Sequence, residues 1–335
     1  MGKRHKGQAW AGGDISAKEI VVALERADGE RERSTFENTS AGRKSMVSWL
    51  NKRGSDVQVV IEATGIYSLD VAFALYRASG ITVMVANPRA ISDFARALMQ
   101  RSKTDKLDAE AILEFSRRMP FVPWAPPSAS RLDLRAITRR IDSLKLQAQQ
   151  EGNRLHAAQH AEEITPLIRR DIEAHLKQLD RHIEKLQAQA LDLITADAEL
   201  TRCFKRLTSV RGIARVSALH ILGELVILPA DMTARQWVAH AGLDPRAFDS
   251  GTSIHKPARI SRRGNSHLRA ALYMPALVAA HHEPHIKAFY EKLVAKGKTK
   301  MQAIVAIMRK LLHTIHGMLR HNSDFLGEKF FVLEG

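Results

Sequence analysis

Apolar positions in the first 90 residues fall into short, dense blocks. Ile20-Val21-Val22-Ala23-Leu24, Val57-Gln58-Val59-Val60-Ile61 and Ile81-Thr82-Val83-Met84-Val85 have the near-continuous, β-branched character of strands covered on both faces of a sheet. Gln8-Ala9-Trp10-Ala11-Gly12-Gly13 precedes them as a weaker strand. Asp28-Gly29 is a hairpin signal, with Ser34-Thr35-Phe36 as the return strand. Met46, Val47 and Leu50, with Trp49, fit a helix that ends near Gly54. A second helix over 68–79 stops at Gly80, and helical spacing resumes from Ala90 to Met119 after Asn87-Pro88. The order is three strands, helix, strand, helix, strand, helix, which predicts an α/β layer.

Pro120, Pro123, Pro126 and Pro127 then form a joint, and the pattern changes. Ile172, Leu176, Leu179, Ile183, Leu186, Ala190 and Leu193 recur at alternating steps of four and three, the seam of a coiled coil. Its partner is either the preceding helix (Leu134, Ile137, Ile141, Leu144) or a second subunit. Beyond residue 200, Leu207 to Ile213 followed by an apolar helix suggests a helix-hairpin-helix, with Arg211 and Gly212 at a phosphate-binding turn. A polar loop from Phe248 to Asn265 separates it from helices over His267–Ala280 and Gln302–Leu319. Three domains are expected: an α/β domain over 1–125, a coiled-coil helical segment over 126–200 and a mostly α-helical domain over 201–325.

Charge distinguishes these parts further. The 335 residues carry a net +15, of which +14 lies within 201–320. So concentrated a positive charge suits a polyanion, because neutralised phosphates release counterions. Arg211, Arg246, Lys256, Arg259, Arg262, Arg263 and Arg269 are the candidate nucleic-acid contacts. A single cysteine, Cys203, excludes a disulfide framework and any zinc site built on cysteines. No apolar run approaches the roughly 20 residues of a membrane span, and the basic start lacks the apolar core of a signal peptide. The expectation is a cytoplasmic protein that binds no membrane. His281-His282-Glu283-Pro284-His285 lacks zinc-protease spacing, and Lys296-Gly297-Lys298-Thr299-Lys300 resembles a phosphate loop only superficially.

Four carboxylates stand out. Asp14 sits just before or on the first strand and Glu62 ends the strand Val57–Ile61, while Asp105 and Asp108 are three apart and share a face if helical. Converging, they would form a site for a hard cation, Mg2+ or Mn2+. Dispersed, they are ordinary caps and surface acids. Spacing alone leaves both readings open.

Asp14-Ile15-Ser16, Glu62-Ala63-Thr64-Gly65-Ile66-Tyr67, Asn87-Pro88 and Lys103-Thr104-Asp105-Lys106-Leu107-Asp108-Ala109 resemble the DEDD-type insertion-sequence transposases, recombinases related to the pilin-gene DNA invertases. Ala239-His240-Ala241-Gly242-Leu243-Asp244-Pro245, Asp249-Ser250-Gly251-Thr252-Ser253, Arg263-Gly264-Asn265 and the stretch Leu268–Ala276 resemble that family's second block. The resemblance spans residues 9 to 320. It implies a RuvC-like N-terminal domain with a ribonuclease-H-type fold, a metal-binding tetrad of Asp14, Glu62, Asp105 and Asp108, and Ser250 as nucleophile. It also implies double-stranded DNA as substrate, a structured non-coding guide RNA, a homo-oligomer (dimer or tetramer) and a nucleoid location. The sequence departs from the family at the hairpin, Arg211-Gly212-Ile213-Ala214. Two chemistries remain open: attack by Ser250, or attack by metal-activated water as in a RuvC-like nuclease. A DNA-binding dimer without catalysis is the third reading.

Overall fold

The apolar blocks of the N-terminal part become neighbouring strands of one sheet in the computed structural model, which describes residues 7–63, 65–98, 105–160, 166–250 and 254–333. The chain divides into two compact units, Met1–Pro126 and Pro127–Gly335.

In the first unit β1 (Gln8–Ile15), β2 (Glu19–Glu25) and β3 (Arg31–Glu37) form an antiparallel meander. α1 (Ser40–Asn51) leads to β4 (Asp56–Glu62), which lies parallel to β1 on its other side. α2 (Ile66–Tyr76) connects to β5 (Ile81–Ala86), parallel to β4. The sheet order is β3-β2-β1-β4-β5. α3 (Pro88–Ala97), capped by Asn87, and α4 (Asp105–Arg118) follow.

The sheet is covered on both faces, which explains why its central strands read as continuous apolar runs. Ala9, Ala11, Val57, Val59 and Ile61 face a cluster with Met46, Leu50, Val71 and Leu75 of α1 and α2. On the other face Val21 and Ala23 pack on Ala109 and Leu113, and Val60 packs near Ile112 and Phe115. α4 therefore lies across that face.

The second unit is helical apart from one ribbon. α5 (Ala129–His160) and α6 (Pro166–Ala196) pack lengthwise on each other. Leu179, Ile183 and Ala190 of the seam are buried, while Ile172, Leu176, Leu186 and Leu193 are half-buried. Near its C-terminal end the buried stripe shifts from Leu193 to Ile194, the drift expected when a straight helix of 3.6 residues per turn carries a 3.5-residue repeat. The partner left open by the sequence is thus α5 of the same chain. The pair is no separate core: Leu134, Ile141, Leu144, Leu179 and Ile183 belong to the cluster that holds the rest of the unit.

That cluster includes α7 (Ala198–Thr208), α8 (Arg215–Leu225), α9 (Ala234–His240), α10 (Ser266–His282), α11 (Pro284–Ala295), α12 (Lys300–His321) and α13 (Gly327–Phe330). Between α9 and α10, where the sequence reads as a polar loop, β6 (Pro245–Ser250) and β7 (Ile254–Ile260) pair as an antiparallel ribbon. Its pairing is a backbone property, and its residues carry no apolar alternation to announce it.

Candidate active site and nucleic-acid interface

Asp14 lies near the end of β1 and Glu62 at the end of β4. The parallel register pairs Gly13 with Ile61, so the next residue on each strand, Asp14 and Glu62, stand side by side. Both are half-buried. Side chains alternate along a strand, so Asp14 shares the face of Gly12, and Glu62 shares the face of Val60. That is the face covered by α4.

The direction of α4 decides which of its residues come near. A Cβ built on Gly12 would lie 2.1 Å from the Leu113 nitrogen and 2.6 Å from the Ala109 oxygen. The middle of α4 thus sits on β1 at Gly12. Its C-terminal half is tied to the other end of the meander. Arg117 reaches the buried Glu25 at 3.0 Å, and Arg31 bridges Glu25, at 2.8 Å, to Glu114. Glu25 pairs with Trp10, near the start of β1. Arg31, Arg117 and Arg118 hold the Glu114 carboxyl below the usual range although its burial works the other way. With its C-terminal half fixed at Trp10, α4 runs antiparallel to β1. Its first turn, with Asp105 at the first position and half-buried Asp108 three residues on, lies toward the end bearing Asp14 and Glu62.

Asp14, Glu62 and Asp108 offer carboxylate oxygens, the kind of donor that suits a hard divalent cation; among the described residues no three acids, histidines or cysteines converge closely enough to hold one. The sequence brought the four acids together through resemblance; the fold supplies strand register and helix direction. The side chains of Asp105, Arg246, Ser250 and Lys256 lie outside what the structure describes, as do residues Thr64, Lys103, Thr104, Gly251, Thr252 and Ser253.

In the second unit Ser250 ends β6, opposite Ile254, and the register sets Arg246 opposite Arg259. The root of this ribbon is firmly held. The Ser261 hydroxyl donates to the Asp244 carboxylate, and the Arg262 N–H donates to the Gly242 carbonyl at 3.0 Å. The Asn265 N–H donates to the His240 carbonyl at 2.6 Å. Arg211, Arg259, Arg262 and Arg263 are exposed. Two expected contacts have other work. Arg269 donates to the Ala241 carbonyl at 2.8 Å. Gly212 turns against α10, where a Cβ would meet Ala279 at 2.8 Å and the Pro275 carbonyl at 2.9 Å; close packing accounts for it without a phosphate.

The sequence reading missed a polar network beneath the ribbon root. Glu224 of α8, 2% exposed, accepts from Arg139 Nε at 2.7 Å and Nη2 at 3.0 Å, and from Asn265 Nδ2 at 2.5 Å. Burial disfavours its charge, but the bonds from Arg139 and Asn265 and the charges of Arg139 and Arg135 leave its pKa below the usual value. Asn265 also caps α10 by accepting the Leu268 N–H at 3.0 Å. One helical turn away His220 and His267 place their Nδ1 atoms 3.0 and 3.1 Å from the two oxygens of Asp142. Burial opposes the Asp142 charge, yet hydrogen bonds from both histidines lower its pKa. An acid and a histidine inside the apolar run Ala218–Leu225 are the signal by which the sequence could have disclosed this network.

Known proteins bear on these sites. A DEDD transposase model of the IS110 type matches residues 11–166, and a model described as transposase IS116/IS110/IS902 family matches 204–291. The pilin gene-inverting protein of Moraxella bovis is 29% identical over 323 residues, covering 95% of this chain and 98% of its own. That of Moraxella lacunata is 30% identical over 296 residues, covering 87% and 89%. A 43.6 kDa protein of insertion element IS110 from Streptomyces coelicolor is 32% identical over 119 residues, 36% of this chain and 29% of its own length.

Proposed function

The chain belongs to the transposase family of IS110-type insertion elements and pilin-gene invertases, so it is a DNA-recombining enzyme; from that premise we propose a mechanism in which Asp14, Glu62, Asp105 and Asp108 hold Mg2+ and Ser250 attacks DNA. The observation that carries the metal reading is the side-by-side position of Asp14 and Glu62 on the face covered by α4.

In the proposed reaction the Ser250 oxygen attacks a backbone phosphorus. A serine–phosphate ester forms as one phosphodiester P–O bond breaks, and the departing strand leaves as a hydroxyl carrying a proton. Attack by the hydroxyl of the exchanged strand reverses the process, restoring a phosphodiester and free serine. Bond energy is kept, so no nucleotide triphosphate is needed. The cation, when bound, acts as a Lewis acid that eases charge build-up on phosphate and hydroxyl oxygens. Arg259, Arg262 and Arg263, exposed around the ribbon root, supply positive charge for the DNA backbone.

The finer reading includes a RuvC-like identity for the first unit, a coiled coil formed by α5 and α6, a guide RNA and a homo-oligomer acting on nucleoid DNA. The family match and the +14 charge of residues 201–320 support it. Among the described residues no helix is long and apolar enough to cross a membrane. The test is incubation of end-labelled DNA, candidate RNA and Mg2+ with the full chain, resolved on a denaturing gel. A covalent adduct that Ser250→Ala abolishes and Ser253→Ala retains supports the serine mechanism. Cleavage by Ser250→Ala with free 5′-phosphate and 3′-hydroxyl ends replaces it with attack by water.

A further inference from the structure

The second unit contains a cleft of about 940 Å3 that shares Arg259 and Arg262 with the DNA contacts above and extends from them along α12. Leu243, Ile260, Phe289 and Val305 give it an apolar lining. Its cations are Arg259, Arg262, Lys298, Arg309 and Lys310, and no carboxylate is found among its described lining residues. One wall is a face of α12, along which Met301, Val305 and Arg309 recur every four residues. Met301 is 54% exposed, an apolar side chain facing water.

Lys298 comes from the stretch that resembles a phosphate loop. Gly297, with φ of 83°, turns the chain there, and Thr299 and Gln302 close a capping box at the start of α12. The partial positive charge of that helix end adds to the rim. Lys310 places its Nζ 4.3 Å from the Phe289 ring centroid, and burial pushes its pKa down. Arg262 has φ of 50°, a left-handed conformation uncommon outside glycine, and its N–H is fixed to the Gly242 carbonyl.

A hydrophobic protein segment would desolvate these cations without pairing them. A phosphate backbone alone would leave the apolar lining unused. A nucleotide satisfies both, because an apolar base face is joined to an anionic phosphate. We propose that this cleft takes an unpaired nucleotide of a DNA strand, its base on the apolar lining and its flanking phosphates on the arginine and lysine rim. The proposal rests on the recombinase reading, since exchanging strands between two duplexes breaks base pairs at the cut. The Gln302 side-chain oxygen is committed to the Thr299 N–H at 3.0 Å, and the apolar lining meets the face of the base.

The test compares three probes of one sequence without divalent cation: a paired DNA duplex, the same duplex with a bulge containing 2-aminopurine, and the same bulge in RNA. The full chain should bind the DNA bulge about tenfold more tightly than the paired duplex, with a change in 2-aminopurine emission. Ala306→Trp, which fills the cleft from a half-buried position, should remove that preference. Met301→Glu, at an exposed position, should do the same if the tryptophan variant melts early. Equal affinity for paired and bulged DNA, an undiminished preference in both variants, or tighter binding of the RNA bulge overturns the proposal. A chain that cleaves duplex DNA but binds both DNA probes alike overturns the cleft alone. A chain that neither binds nor cleaves DNA overturns the recombinase reading with it.

Discussion

Gly12 and Leu113 meet backbone to backbone: a Cβ on Gly12 would lie 2.1 Å from the Leu113 nitrogen. This contact lets α4 settle directly on β1 and so determines where its first turn ends. Gly12→Ala must push the helix away. Overpacking of this kind costs about 1–3 kcal/mol. A displacement of about 1 Å at a reacting centre costs on the order of a hundredfold in rate. Thermal melts and Mg2+-dependent cleavage assays check both; wild-type cleavage by Gly12→Ala would show that α4 does not set the site.

Glu224→Gln should destabilise the second unit by about 1–3 kcal/mol, because it removes the charge that accepts from Arg139 and Asn265, while the 37% exposure of the Arg139 side chain lets water offset part of the loss. The pH dependence includes the depressed pKa values of His240, Glu224 and Asp142. Burial lowers that of His240, so the unfolded chain takes up its proton first, and stability falls as pH drops below about 6.5. Glu224, held low by Arg139 and Asn265, stabilises above the ordinary carboxylate pKa. Its contribution is lost as pH falls through its folded value. Urea titrations across that range should show an acid loss in wild type that is smaller in Glu224→Gln; identical slopes would contradict the account.

The sequence makes the first unit legible because its strands are buried on both faces, leaving runs such as Val57–Ile61 that no amphipathic helix would show. The chemistry of Asp14 and Glu62 was visible, but their adjacency is a matter of register, which depends on pairing across 48 residues. Gly12 looked like a weakness in the first strand and is instead the place where α4 touches it. The β6–β7 ribbon carries no apolar alternation, so its residues read as a loop. Glu224 and Asn265 are 41 residues apart, and only the packing of α8 near the start of α10 joins them.

Leu179→Lys places an ammonium in the α5–α6 interface, where Leu179 is 5% exposed. Loss of such a buried leucine costs about 2–5 kcal/mol before any charge penalty. The melting temperature should fall while light scattering reports the wild-type mass, because the seam is satisfied by α5 of the same chain. A smaller species at unchanged melting temperature would assign the seam to a subunit interface.

The central claim is that the acids at the ends of β1 and β4 support strand cleavage. The direct measurement is the Mg2+-dependent cleavage rate of end-labelled duplex DNA by Asp14→Asn and Glu62→Gln, with DNA binding measured on the same samples. Each variant should bind DNA as wild type does and cleave at least about a thousandfold more slowly. Wild-type cleavage by either variant, or a wild-type rate indifferent to Mg2+, would contradict it.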